Sequence, residues 1–185
     1  MVSVASLWLP ILLSAVIVFF ASFIMHMVLP YHKGDYRKLP EEDKVRAALR
    51  GVGLTRGLYM FPFSTHKEMK SPEMTARYKE GPVGTMTVFP VGPPAMPKFL
   101  GMWFVYCLII GFFVAYLTGR TVLAGSPYPA VFRVAGTAAF LAYGLGQLSN
   151  GIWKGQTWSM TIKEVIDGLV YGLLTAGTFG WLWPR

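Results

Sequence analysis

Charge is what this sequence has least of. Only 14% of its 185 residues are Asp, Glu, Lys or Arg, against about 25% in an ordinary soluble domain. Beside a hydrophobic content of 54%, that shortfall argues against a water-soluble globular enzyme and predicts an integral membrane protein. Cysteine is nearly absent as well: the single Cys107 excludes an intrachain disulfide and any cysteine-rich metal site. Three histidines (His26, His32 and His66) and no clustered carboxylates leave little for a dedicated metal centre, so neither a metal ligand set nor a cofactor is expected. Ser22, one turn before His26, has no acid neighbour in sequence, and Gly51-Val52-Gly53 lacks the Lys-Ser/Thr of a phosphate loop. No catalytic residue is expected, and the chain does not read as an enzyme.

Long apolar runs are what the sequence does have. Crossing a hydrocarbon core of roughly 30 Å takes about 20 helical residues. Four stretches qualify, at about 7–29, 99–118, 130–149 and 162–183. The first lacks a basic leader and a small-residue cleavage site, and reads as a span rather than a removed signal. Basic residues set the sides. Tyr31 to Lys98 holds 12 Lys/Arg, and Lys154 and Lys163 bring that face to 14, against Arg120, Arg133 and Arg185 on the other. The positive-inside rule therefore puts the loop 31–98 in the cytoplasm and both termini outside. All six tryptophans fall near the predicted interfaces. The expected architecture is an all-α integral membrane protein of the bacterial cytoplasmic (inner) membrane. Its four transmembrane helices form a compact N-out/C-out bundle, and residues 1–185 make a single membrane domain with one long cytoplasmic loop between spans one and two. The net charge of +8 then points to anionic headgroups rather than nucleic acid.

The loop does not read as disordered. Lys38 to Gly51 predicts a short helix with Pro40 at its first position, acidic Glu41, Glu42 and Asp43 at its positive end, and Gly51 as its stop. Ser71-Pro72-Glu73 predicts the start of another, ending near Gly81. Two proline-broken apolar pieces, Gly57 to Phe63 and Met86 to Gly92, are too short to span and too apolar to stand fully exposed. They are expected to dip into the interface or to cover a partner subunit.

Helices in lipid associate through close backbone approach and polar contacts. Span four carries Gly168, Gly172, Ala176 and Gly180; span three carries Ala138, Ala142 and Gly146; span two carries Cys107, Gly111, Ala115 and Gly119. Each series predicts a flat helix-packing stripe. A candidate intramembrane polar cluster is formed by His26, Gln147, Asn150, Asp167 and Tyr171. His26 lies one turn before Pro30 and Asp167 one turn after Lys163, so both sit about 6 Å inside the same boundary. Ionisable groups at that depth are either interhelical glue or a proton relay.

The ends of the chain carry a further pattern. It comprises Trp8 at the head of the first span, then Trp153-Lys-Gly-Gln-Thr-Trp158, Asp167-Gly168, Tyr171-Gly172 and Trp181-Leu-Trp-Pro184. In these motifs the chain resembles a family of small four-span bacterial membrane proteins of unknown function. The resemblance implies a four-helix membrane module and supplies no activity. With no catalytic constellation, three packing stripes and an apolar loop, the expected role is a non-catalytic accessory or structural subunit of a larger inner-membrane assembly, an energy-transducing complex being one host. The alternative is a small proton-coupled transporter or channel using His26 and Asp167. Expected partners are membrane lipids with anionic headgroups and other membrane subunits or further copies of the chain.

Overall fold

The computed structural model describes residues 1–185. In chain order its helices are α1 (Trp8–Phe23), α2 (Glu42–Gly51), α3 (Pro72–Glu80), α4 (Met96–Thr121), α5 (Tyr128–Tyr143), α6 (Leu148–Trp153) and α7 (Trp158–Trp181). Two strands, β1 (Gly57–Phe61) and β2 (Gly84–Val88), complete a mostly helical chain. Contacts divide the chain into two units, one made of Met1–Asp35 with Ala95–Arg185 and the other of Tyr36–Pro94. The long loop is thus a small unit with contacts of its own.

In the larger unit, two helical stretches are long and apolar enough to cross a membrane: Ala5–Val28, which is α1 with its flanking turns, and α4. The other two predicted spans differ from them for separate reasons. The stretch 130–149 is broken: α5 ends at Tyr143 after 16 residues, about 24 Å, and Gly144 turns the chain into a 3-10 turn (Leu145–Gln147) and then α6. α7 has the length but carries Lys163, Glu164 and Asp167, and glycine and threonine dilute the rest.

α1 packs on α4 and α7, and α5 packs on the same two helices. Leu7, Val18, Val114, Val131 and Phe179 are fully buried where they meet. The tightest approach is between α5 and α7. A β-carbon on Gly168 would fall inside the backbone of Gly144, one on Gly172 would lie 3.2 Å from Phe140, and one on Gly180 would lie 2.6 Å from the Tyr128 ring. Gly136 lies over Ala176 in the same seam. In α4, Cys107 and Ala115 are buried, Gly111 lies over Ile11 of α1, and Gly119 receives the N–H of Val2 on its carbonyl at 2.8 Å. The stripe expected on span three is corrected. Gly136, Phe140 and Gly144 meet α7, whereas Ala138 and the exposed Ala142 line a shallow groove with Ile110 and Val114 of α4, and Gly146 meets nothing. A two-residue offset rotates the face by about 200°, which puts Ala138 and its partners on the other side of the helix.

In the small unit, β1 and β2 pair antiparallel, with Tyr59 opposite Met86 and Phe61 opposite Gly84. The two apolar pieces thus satisfy each other's backbone, a β element the composition did not suggest. α3 lies between the strands in sequence and buries Met74. The first short helix starts at Glu42 rather than at Pro40, because Glu41 takes a left-handed conformation (φ 49°). Its stop comes from Gly53 at φ 68°, whose N–H reaches the Arg50 carbonyl, rather than from Gly51. Ser71 caps α3 by accepting the Met74 N–H at 3.1 Å. Ser71→Ala should cost about 1 kcal/mol, seen as faster amide exchange across α3 with α7 unchanged.

Candidate functional site

The end of α1 does not stop cleanly. Ile24–Val28 form a π turn closed by the Leu29 N–H on the Ile24 carbonyl at 3.0 Å, and Pro30 then opens a single 3-10 turn, Pro30–His32. Proline cannot continue the helical ladder, so the chain leaves α1 here and folds back beside it. The reversal lays the His32 ring on the His26 ring, with centroids 4.4 Å apart and planes 9° from parallel. From the facing side α7 presents Lys163 and Asp167, one turn apart on one face.

Asp167 is the hub. Its side chain is only 5% exposed; one oxygen, Oδ2, lies 2.9 Å from His32 Nε2 and 3.7 Å from His26 Nε2. Its other oxygen, Oδ1, accepts a hydrogen bond from the Tyr31 hydroxyl. His32 Nδ1 donates to Asp35 Oδ2 at 2.5 Å, and the Lys163 ammonium donates to Asp35 Oδ1 and to the Tyr31 carbonyl, each at 2.6 Å. His26 Nδ1 donates to the Ser22 carbonyl at 3.1 Å, and the Ser22 hydroxyl accepts from Trp103 Nε1 at 2.9 Å. Tyr31, His32 and Asp35, beyond the π turn that holds His26, are thereby cross-braced with Lys163 and Asp167 of α7. His26 is the open member, with 49% of its side chain exposed.

The electrostatics follow from the burial. Burial raises the Asp35 carboxyl's pKa, but the Lys163 ammonium and the His32 imidazole outweigh it and hold the group below its ordinary value. Burial and the neighbouring Asp167 both push the Tyr31 hydroxyl upward, so it remains a donor. Two carboxylates, one ammonium and two imidazoles thus meet in one cluster.

Of the expected cluster, the structure brings His26 and Asp167 together and leaves the others out. Asn150 donates to Gln147 Oε1 at 2.9 Å, and that pair lies on α6 and the turn before it, beyond the break at Gly144. Tyr171 is buried one turn along α7, against Trp103 and Tyr143, with its hydroxyl unpartnered. In their place stand Tyr31, His32, Asp35 and Lys163, three of which read as ordinary loop residues. The only sequence signal for them is a second histidine and an acid within five residues after the proline that ends the first span. No family model, no curated protein and no solved structure matches this chain.

Proposed function

We propose that the chain is a four-span, N-out/C-out protein of the bacterial inner membrane that serves as a non-catalytic accessory subunit of a larger assembly. The observation that carries this reading is the uncovered apolar surface of the small unit. Leu58, Phe63 and Phe89 are each 73% exposed, and only Met74 is buried. A surface of that kind on a soluble face is normally a contact surface. α5 and α7 would complete the four spans in this reading, α5 thinning the bilayer locally and α7 shielding its charged first turns against its neighbours. The resemblance to four-span membrane proteins and the basic bias of residues 31–98 support the same topology. Purification in mild detergent should return foreign subunits in fixed stoichiometry. Recovery of a monodisperse homo-oligomer alone would overturn the assignment. A reporter active only in the cytoplasm, fused after Arg185, should stay dark.

A second reading is favoured by one observation, the half-exposed His26 lying 3.7 Å from a buried carboxylate. A proton-coupled transporter would need such a pair on a water-accessible path. Asp167→Asn would then abolish pH-driven uptake into vesicles while the protein stays assembled. Transport unchanged by that variant removes the reading.

A further inference from the structure

We propose that His26, His32 and Asp167 form a binding site for a divalent transition-metal ion of the Zn²⁺ class. The assignment stands apart from the accessory reading and rests on where the lone pairs point. The Ser22 carbonyl can only accept, so His26 carries a proton on Nδ1 and turns Nε2, which in the neutral ring is the free lone pair, toward Asp167. Asp35 likewise takes the proton of His32 Nδ1, which leaves Nε2 of that ring facing the same carboxylate oxygen. In the neutral rings three acceptor atoms then lie together, within 4.8 Å of one another, and a turn of the His26 ring out of its stack on His32 would aim its lone pair at the same point as the other two. Acceptor atoms this close together repel unless a cation sits among them. Either protons or a metal ion can fill that role.

Three features favour the metal. Both histidines have their far nitrogen tied down, one to a carboxylate and one to a backbone carbonyl, the arrangement that fixes tautomer and ring orientation in metal-ligating histidines. The spacing is right as well. Ligand atoms about 2.1 Å from a tetrahedral zinc stand roughly 3.4 Å apart, and the observed 2.9 Å and 3.7 Å bracket that value. The donor set, two imidazoles and one carboxylate, suits zinc and its first-row neighbours better than magnesium or calcium, which prefer all-oxygen cages. His26 is half exposed, so its ring can swing to close the longer gap and an ion has a route in. Three protein ligands leave a fourth position for water or for a group brought by another molecule.

The test uses the full chain in detergent, stripped with a chelator and titrated with Zn²⁺ or Co²⁺ alone. The expected result is saturable uptake of one ion per chain, with Co²⁺ giving the intense visible absorption of a four-coordinate site. His26→Gln removes an exposed ligand whose only other bond is to a backbone carbonyl, so it should fold normally and bind roughly 100-fold more weakly or worse. Asp35→Asn, a positioning change, should weaken uptake by about 10–100-fold and leave the ion count at one. His66→Gln, in the other unit, should bind like the parent chain. The proposal is overturned if the parent chain takes up no stoichiometric metal, if His26→Gln binds as tightly as the parent, or if His66→Gln is the variant that loses it.

Discussion

Gly168→Val should abolish the folded helical unit. The α5–α7 seam has no slack at this point, because the new β-carbon would fall inside the backbone of Gly144 rather than against a side chain that could rotate away. Backbone cannot repack, so the helices would have to separate along the seam, and the contacts at Gly172 and Gly180 would open with it. Overpacking a tight site costs on the order of 3 kcal/mol or more, a large share of what a domain has in reserve. Gly146→Ala provides the contrast. No atom lies within 4 Å of its added methyl, and the cost should stay within about 0.5 kcal/mol. Thermal unfolding of both variants in the same detergent, followed by far-UV circular dichroism, decides the matter. Equal midpoints for the two would show that the seam does not hold the unit together.

The second large effect is at Lys163. Lys163→Met keeps the length of the side chain and removes the ammonium that donates to Asp35 and to the Tyr31 carbonyl. Asp35, with 5% of its side chain exposed, would keep only His32. Removing one partner of a buried pair costs about 3–5 kcal/mol, because the remaining charge is left desolvated. The pH dependence has a definite sign. A carboxyl held below its ordinary value of 3.8 contributes stability that is present above that value and is lost as pH falls through the lowered one. Without Lys163 the lowering is largely gone, so the acid-unfolding midpoint should move to higher pH. An unshifted midpoint, with neutral-pH stability also unchanged, would mean that the ammonium contributes nothing to the cluster.

Particular residues show how far the sequence could be read. In α7 a small residue every fourth position marks a face, and that face is the one that meets α5, since few other small residues compete for the role. α5 is different. Ala135, Gly136, Ala138, Ala139, Ala142, Gly144 and Gly146 offer several overlapping stripes, and spacing alone cannot say which one a neighbour uses. The helix break at Gly144 was illegible for a related reason: glycine in an apolar run is compatible with a continuing span, and only the crossing with Gly168 decides otherwise. Depth could be inferred from Pro30 and Lys163, which is why His26 and Asp167 stood out. The direction of the chain after Pro30 could not be inferred, because a turn that folds back and a turn that leads away have the same composition. Tyr31, His32 and Asp35 were hidden by that ambiguity. The β1–β2 pairing was hidden by the distance in sequence between its two halves.

The π turn at Ile24–Val28 makes the site sensitive to chain length as well as to composition. Such a turn holds one residue more than an α-helical turn, as if a single residue had been inserted into an otherwise regular helix. The wide turn absorbs that residue, so removing Met27 or Val28 would let the helix return to 3.6 residues per turn and leave everything beyond it close to its present angle, whereas one further inserted residue would rotate everything beyond it by about 100°. With such an insertion Tyr31, His32 and Asp35 would swing out of register with α7 as a group, although none of them had been altered. Relatives that have drifted in identity around this turn can still retain the cluster. Relatives with one more residue between Phe23 and Pro30 would have lost it at a stroke and relatives with one fewer would keep it, so the length of this segment, more than its letters, is the diagnostic to look for.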